Sequence, residues 1–332
     1  MRYGVSKRCV TPRWPVYMAG YAKIKTRSEG IHDDLFVRTV LINGEDKSVL
    51  IISIDICYFP RTWADNVKDE ITRFCGLKPE QILIQATHTH SGPRFSDKAG
   101  ELSPEDRYSR FLKENILECV RQVFGYQCEG TIEYGSGVSY VGINRRMKTA
   151  DGVKLAPNPA GPIDKNLSVI RIKNEQGQPV AILFNIACHA TVLGGSNMLI
   201  SADYPGVACN LIEAANGGCM ALFMQGTCGD IDPRVLDCGQ GLRNGLDSDF
   251  IDVDIAGRIL AHDVIYICKN LKVIPEIKIR NAIDGTILPF EIKQKSFLEE
   301  LSKKYENDDI WHAGWTVKVN AIIETLENGT YE

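Results

Sequence analysis

The chain has 332 residues, 38 Lys+Arg against 42 Asp+Glu for a formal net charge of −4, and 44% hydrophobic with 24% charged residues. That composition describes a globular protein able to bury a large core and excludes the disordered and fibrous classes, while the slight acidic surplus excludes a nucleic-acid binder held by bulk electrostatics. Eleven cysteines, an odd number with no CxxC pair, give neither a disulfide framework nor a zinc ribbon.

Residues 1–21 carry charges where an export signal needs an apolar stretch, and no run of about 18 apolar residues follows, so the expectation is a cytoplasmic protein with free thiols and no transmembrane segment. Residues 35–43 and 47–56 read as two strands joined by Gly44-Glu45-Asp46, a hairpin signal. The second contains VLIISIDI, apolar on both faces, as in a strand from the middle of a sheet. Helical periodicity over 61–74 stops at Gly76, a C-cap signal. A buried strand over 81–87 runs into the polar string Thr87-His88-Thr89-His90-Ser91-Gly92-Pro93, and Ser103 with Pro104 opens a helix to residue 124. Strands follow at 130–141, 167–173 and 179–186, the last running into Cys188-His189-Ala190-Thr191. Residues 206–215 read as a helix, 218–224 as a strand running into Gln225-Gly226-Thr227-Cys228-Gly229-Asp230, and 250–268 as a long amphipathic helix. The stretches 149–161 and 236–249, rich in Gly, Asn, Pro and Asp without periodicity, read as surface loops. Beyond residue 281 the pattern turns to polar amphipathic helices at 293–305 and 309–327, so residues 1–280 are expected to form the main domain and 281–332 a helical part of it.

Strands alternating with helices, each ending in a polar string, predict an α/β fold: a mixed, largely buried sheet with helices on both faces and the active site at the strand ends. His88, His90 and His189 lie at two such ends. Alternation would point His88 and His90 to one face, and three-ligand zinc sites with an open position are built from such groups. A single histidine there more often only hydrogen-bonds a loop carbonyl. Asp55, Asp203, Asp230 and Asp232 are candidates for a third ligand, for a carboxylate that orients one, or for a general base, with turn or cap chemistry the more ordinary role of such aspartates. Arg145 could clamp a carboxylate or an oxyanion. Cys188 and Cys228 stand beside His189 and Asp230, where a thiol nucleophile is conceivable, although buried cysteine is usually inert. No GxxxxGK[ST] and no GxSxG string occurs.

These strings, in this order, resemble the neutral/alkaline non-lysosomal ceramidase family: Met18-Ala19-Gly20-Tyr21-Ala22, Gly30-Ile31-His32, Thr87 to Pro93, Asn144-Arg145, Gly161-Pro162-Ile163-Asp164, Ala187 to Thr191, Ser201 to Gly206 and Gln225 to Pro233. The resemblance implies a zinc-dependent amidohydrolase that splits the N-acyl bond of a small-molecule, ceramide-like lipid. It implies His88 and His189 as zinc ligands, His90 as donor to the reacting carbonyl, Arg145 as substrate support, and Gly20 and Tyr21 near the substrate head. Ceramidases proper carry a catalytic serine where this chain has Asp232, which directs attention to other amides or esters and to a catalytically silent binding protein. The family's remaining zinc ligands, a glutamate and a tyrosine, come from segments nearer the C-terminus than any match here. The expectation is therefore either a domain cut before those segments or a site completed by Asp55, Asp203 or Asp230.

Overall fold

A computed structural model describes residues 1–21, 27–95, 103–150, 152–234, 236–237, 241–242, 248–285, 295–305 and 323. One compact unit takes in Met1–Gly20 and Thr26–Ala282, and a second takes in Tyr21–Lys25 and Ile283–Glu332.

The first unit is a mixed α/β structure. Its elements are β1 (Arg2–Cys9), β2 (Gly30–Ile31), β3 (Phe36–Asn43), β4 (Ser48–Ile54), α1 (Arg61–Cys75), β5 (Ile82–Ala86), α2 (Pro104–Gly125), β6 (Cys128–Val138), β7 (Gly142–Thr149), β8 (Gly152–Asn158), β9 (Asn166–Asn174), β10 (Pro179–Ile186), β11 (Leu199–Ile200), α3 (Asp203–Ala215), β12 (Met220–Gln225), β13 (Ile231–Pro233), β14 (Leu236–Asp237), β15 (Gly241–Leu242), α4 (Phe250–Ile267) and β16 (Lys272–Val273). A nine-stranded sheet runs β12-β10-β9-β6-β1-β3-β4-β5, with β16 on β6. The pairs β4/β5 and β10/β12 are parallel, and the other neighbours in this sheet are antiparallel.

The strands bury both faces, and their period of two sorts the side chains into separate cores. Val40, Ile42 and Ile51 from one half of the sheet share a core with Ile132, Ile172, Leu183 and Leu222 from the other. The opposite faces pack on helices: Val37, Leu41, Leu50 and Ile52 against residues of α1 and α2, and Val169, Ile182, Phe184 and Phe223 against residues of α3 and α4. Helices thus cover the two outer faces, and the two halves of the sheet face each other across the inner core. The doubly apolar VLIISIDI run serves these two cores at once.

The hairpin β3/β4, the αL cap at Gly76 and the capping box of Ser103 with Asp106 follow the sequence signals. Three features do not. β1 lies between β3 and β6 although it reads RYGVSKRC. Its charges are absorbed locally: Lys7 Nζ donates to both carboxylate oxygens of Glu213 at 2.8 and 3.0 Å, and Arg8 Nε to Asn115. Residues 149–161 are not simply a loop, because β8 pairs with β7 through a turn in which Gly152 takes φ +112. Residues 152–155 are exposed, so backbone pairing holds a hairpin that hydrophobic periodicity could not announce. α3 starts at Asp203, three residues early, since Pro205 is tolerated in a first turn. Most of 236–249 and of the expected helix 309–327 lies outside the described residues. In the second unit, α5 spans Lys295–Tyr305. Among the described residues no helix is long and apolar enough to cross a membrane.

Candidate metal centre and active site

The C-terminal ends of the two parallel pairs, β4/β5 and β10/β12, meet at one place. Two glutamines fasten them. Gln85 Nε2 donates to Phe223 O at 2.7 Å and to Ser53 Oγ at 2.9 Å, and Gln85 Oε1 accepts the Gln225 N–H at 2.9 Å. Gln225 Nε2 donates to Thr87 O at 3.1 Å and Cys188 O at 2.9 Å. Thr89 and Ala190 add a parallel bridge, and the His90 N–H donates to Ala190 O at 3.1 Å. The loop after β5 is thereby pinned to the loop after β10, bringing His88, His90 and His189 together.

Strand alternation is not what aligns His88 and His90. β5 ends at Ala86, and His88 takes the left-handed region at φ +69, uncommon for a residue with a side chain and a mark of a position fixed by its surroundings. The His88 and His189 ring centroids lie 4.8 Å apart, those of His88 and His90 4.8 Å, and those of His90 and His189 5.7 Å. His88 Nδ1 stands 2.7 Å from Cys57 O, and His189 Nδ1 stands 2.6 Å from Cys228 O. Carbonyls only accept, so each Nδ1 carries the proton and each Nε2 keeps a lone pair, the tautomer in which histidine ligates metals. His90 Nε2 lies 3.3 Å from His88 Nε2 and is the donor of that pair. Burial, with His88, His189 and Arg145 nearby, lowers His90 to about 3. Burial, with Arg145 and His88, lowers His189 to about 4. Both rings are therefore neutral at physiological pH, the form that binds a cation.

Among the described residues, two sets of three donor atoms lie within 4.8 Å of one another: Cys57, His88 and His90, and His88, His189 and Cys228. The tautomers, the neutral rings and these donor sets fit a zinc ion. None of the aspartates proposed from the sequence belongs to either set. Asp55 is buried, its Oδ2 accepting Arg38 Nη1 at 2.7 Å and the Phe36 N–H at 2.8 Å. Asp203 is buried and left-handed (φ +55), and its carboxylate accepts the N–H groups of Val192, Leu193 and Tyr204, which shapes the loop beyond His189. Burial pushes its carboxyl up to about 6, against the pull of those three donors. Asp230 accepts Asn144 Nδ2 at 3.2 Å and braces the 144–145 segment.

Arg145 and Asp232 do stand beside the histidines. Arg145 donates from Nη1 to Asp232 Oδ1 at 3.0 Å, and from Nη2 and Nε to Gly229 O at 2.8 and 3.2 Å. Thr191 Oγ1 donates to the same Asp232 oxygen at 3.3 Å, and the side chain of Asp232 is 38% exposed. Gly20, at φ +97, lies directly against the His90 ring, and a Cβ there would overlap it. Tyr21 is half-buried and falls in the second unit. Cys188 is fully buried, and burial raises its thiol well above the usual range, so it is no activated nucleophile. The sequence reading passed over Cys57, Gln85 and Gln225. The signal for the glutamines was present: each is a polar residue at the end of an otherwise apolar strand.

The neutral ceramidase A of Dictyostelium discoideum is 27% identical over 274 residues, covering 73% of this chain and 37% of that protein. The neutral ceramidase of Pseudomonas aeruginosa is 24% identical over 250 residues, covering 70% of this chain and 37% of that protein. The crystal structure of neutral ceramidase from Pseudomonas aeruginosa matches with a TM-score of 0.69 at 23% identity, over 81% of this chain and 44% of that one, which shows a shared fold. The chain thus spans about 37% of the length of these two curated relatives. Residues 2–252 match the model of the neutral/alkaline non-lysosomal ceramidase N-terminal domain, and the chain belongs to that family.

Proposed function

We propose that the chain supplies the histidine zinc ligands of a zinc-dependent amidohydrolase that cleaves an N-acyl, ceramide-like amide. The observation that carries this reading is the meeting of His88 and His189 at the ends of two parallel strand pairs, each with Nδ1 committed to a carbonyl and Nε2 left to ligate. Family membership supplies the reaction class.

In this reading His88 and His189 hold the zinc. Zinc bound there supplies Lewis-acid polarisation and lowers the pKa of water toward about 7. His90, whose Nε2 lies 3.3 Å from His88 Nε2, would serve as donor to the amide carbonyl oxygen, and an N–H aimed at developing negative charge is worth about 3 kcal/mol of barrier. Gly20 leaves the space in which the His90 ring sits. Arg145 fixes the loop of Gly229 and orients Asp232, whose partly exposed carboxylate can accept a proton or a hydrogen bond from a substrate hydroxyl. The substrate is a small lipid-like amide, and the unpaired thiols of the described cysteines support a cytoplasmic setting.

Asp232 favours a second reading, in which the bond cleaved is a different amide or an ester. A carboxylate accepts hydrogen bonds and cannot donate them as a serine hydroxyl does. The test is hydrolysis of N-acyl amides and matched esters of graded chain length by the purified full chain, with and without a chelator. Chelator-sensitive release of fatty acid from the amides is the expected result. No turnover of any substrate, with zinc bound, would leave the catalytically silent protein as the answer.

A further inference from the structure

We propose that the β7/β8 hairpin docks the chain on an anionic lipid surface and so holds the active site at the layer from which a lipid-like substrate is drawn. The proposal rests on the lipid-like amide argued above, and it adds a contact surface that the metal centre itself does not require.

Three observations carry it. First, the hairpin shows aliphatic side chains to solvent. Val153 and Leu155 are 53% and 67% exposed and lie two residues apart on β8, hence on one face. Neither packs into any of the three hydrophobic cores found among the described residues. Second, each of them has a cation directly across the strand pair. The register sets Val153 opposite Lys148 and Leu155 opposite Arg146, and both cations are exposed. Opposed residues of an antiparallel pair share a face, so one side of the hairpin alternates two aliphatic with two basic side chains. From Arg146 to Asn158 the sequence holds three cations, Arg146, Lys148 and Lys154, and one acid, Asp151, in a chain whose net charge is −4. Third, the hairpin grows directly out of the site. Arg146 follows Arg145, whose guanidinium holds Asp232, and β7 pairs with β13, the strand of Asp232.

This chemistry selects the occupant. A bilayer interface takes aliphatic side chains between its headgroups while anionic lipids attract the cations beside them. A nucleic acid would engage the cations and leave Val153 and Leu155 in water. The cytoplasmic leaflet is the anionic one, in line with the setting proposed above. Lys148 stands three residues beyond Arg145, roughly 10 Å along a strand. That is less than the roughly 15 Å of hydrocarbon in one leaflet, so an anchor there keeps the site within reach of a membrane lipid.

The test is co-sedimentation of the purified full chain with vesicles of phosphatidylcholine, and with vesicles of phosphatidylcholine and phosphatidylserine in equal parts. The proteins compared are the wild type, the aliphatic pair Val153→Ser with Leu155→Ser, the basic pair Arg146→Gln with Lys148→Gln, and Tyr126→Ser, an exposed residue outside the hairpin, as control. The expected result is binding to the anionic vesicles that falls as salt is raised. The basic pair should weaken it by roughly 25-fold, since each cation near such a surface is worth about fivefold. The aliphatic pair should weaken it by roughly tenfold or more, and Tyr126→Ser should bind as the wild type does. The salt and lipid dependence is read on the unaltered chain and does not depend on how a variant folds. No binding to either vesicle, equal binding to both, or binding undiminished in the aliphatic pair overturns the proposal. Self-association that is lost in the aliphatic pair, without vesicle binding, overturns it in favour of a second copy on β8. Turnover separates the hairpin from the substrate reading. Chelator-sensitive hydrolysis of a soluble short-chain N-acyl amide without vesicle binding overturns the hairpin and leaves that reading standing; vesicle binding without hydrolysis of any amide upholds the hairpin and counts against the reading.

Discussion

Asp55 separates a structural role from a ligand role, and the buried pair it forms gives the size of the effect. Arg38 and Asp55 have side chains 2% exposed, with Nη1 and Oδ2 2.7 Å apart, and the same carboxylate oxygen accepts the Phe36 N–H at 2.8 Å. Burial alone would pull the Arg38 guanidinium down, but Asp55 beside it more than reverses this and holds it above its ordinary range. Asp55→Ala leaves a buried guanidinium and a buried amide without their acceptor. Breaking such a pair from one side costs about 3–5 kcal/mol, a large share of the roughly 5–15 kcal/mol by which a domain is stable. Asp55→Asn keeps one acceptor and should lose less. Replacing both partners, Arg38→Met with Asp55→Leu, should recover most of the loss, because no charge is left buried. Urea unfolding with an unchanged m-value measures these differences. A loss below about 1 kcal/mol in Asp55→Ala would refute the reasoning. Unchanged stability with lost zinc would restore Asp55 as a ligand.

Three further outcomes follow from the same geometry. Gly20→Ala should fold with its His90 ring displaced, because the new Cβ overlaps that ring at a backbone φ of +97; unaltered His90 ring signals in NMR would contradict this. Gln225→Leu removes the bond to Thr87, which links the two halves of the sheet, and two bonds with Cys188 beyond β10, and should cost about 2–4 kcal/mol in urea unfolding; a neutral effect would show that the fastening lies elsewhere. Asp203 has a folded-state pKa pushed up to about 6 from 3.8, so between those values the folded state holds the proton more tightly than the unfolded one. Its contribution is present below pH 3.8 and lost as pH rises through 6, by up to about 3 kcal/mol. The difference in stability between wild type and Asp203→Asn should therefore shift across that window, and a flat difference would refute the shift.

Much of the fold was legible because hydrophobic pattern and backbone agree where elements are buried. The strands 36–43, 48–54 and 179–186 and the helices 61–75, 104–125 and 250–267 each carry a one-face or two-face apolar signal and a recognisable cap or turn. β1 and β8 were hidden for opposite reasons. β1 is central, but its Lys7 and Arg8 find partners on neighbouring elements. β8 is largely exposed, and its one short alternation, Val153 and Leu155, faces solvent. At the site, the polar strings marked the right strand ends, and His88, His90 and His189 do converge. Their approach depends on the packing of one half of the sheet against the other, which no local pattern encodes. The same packing decided which acids face inward. Asp55 and Asp203 sit at strand and loop ends as candidate ligands do, but their carboxylates turn to Arg38 and to backbone amides. Cys57 and the carbonyl role of Cys228 gave no spacing signal, because each meets its histidine only where the loops after two parallel strands run side by side.

Zinc content of the purified full chain tests the central claim most directly. The account predicts about one zinc per chain, lost in His88→Ala and in His189→Ala while cooperative unfolding persists in both. A chain that takes up no zinc, or that holds it undiminished in both variants, would contradict it.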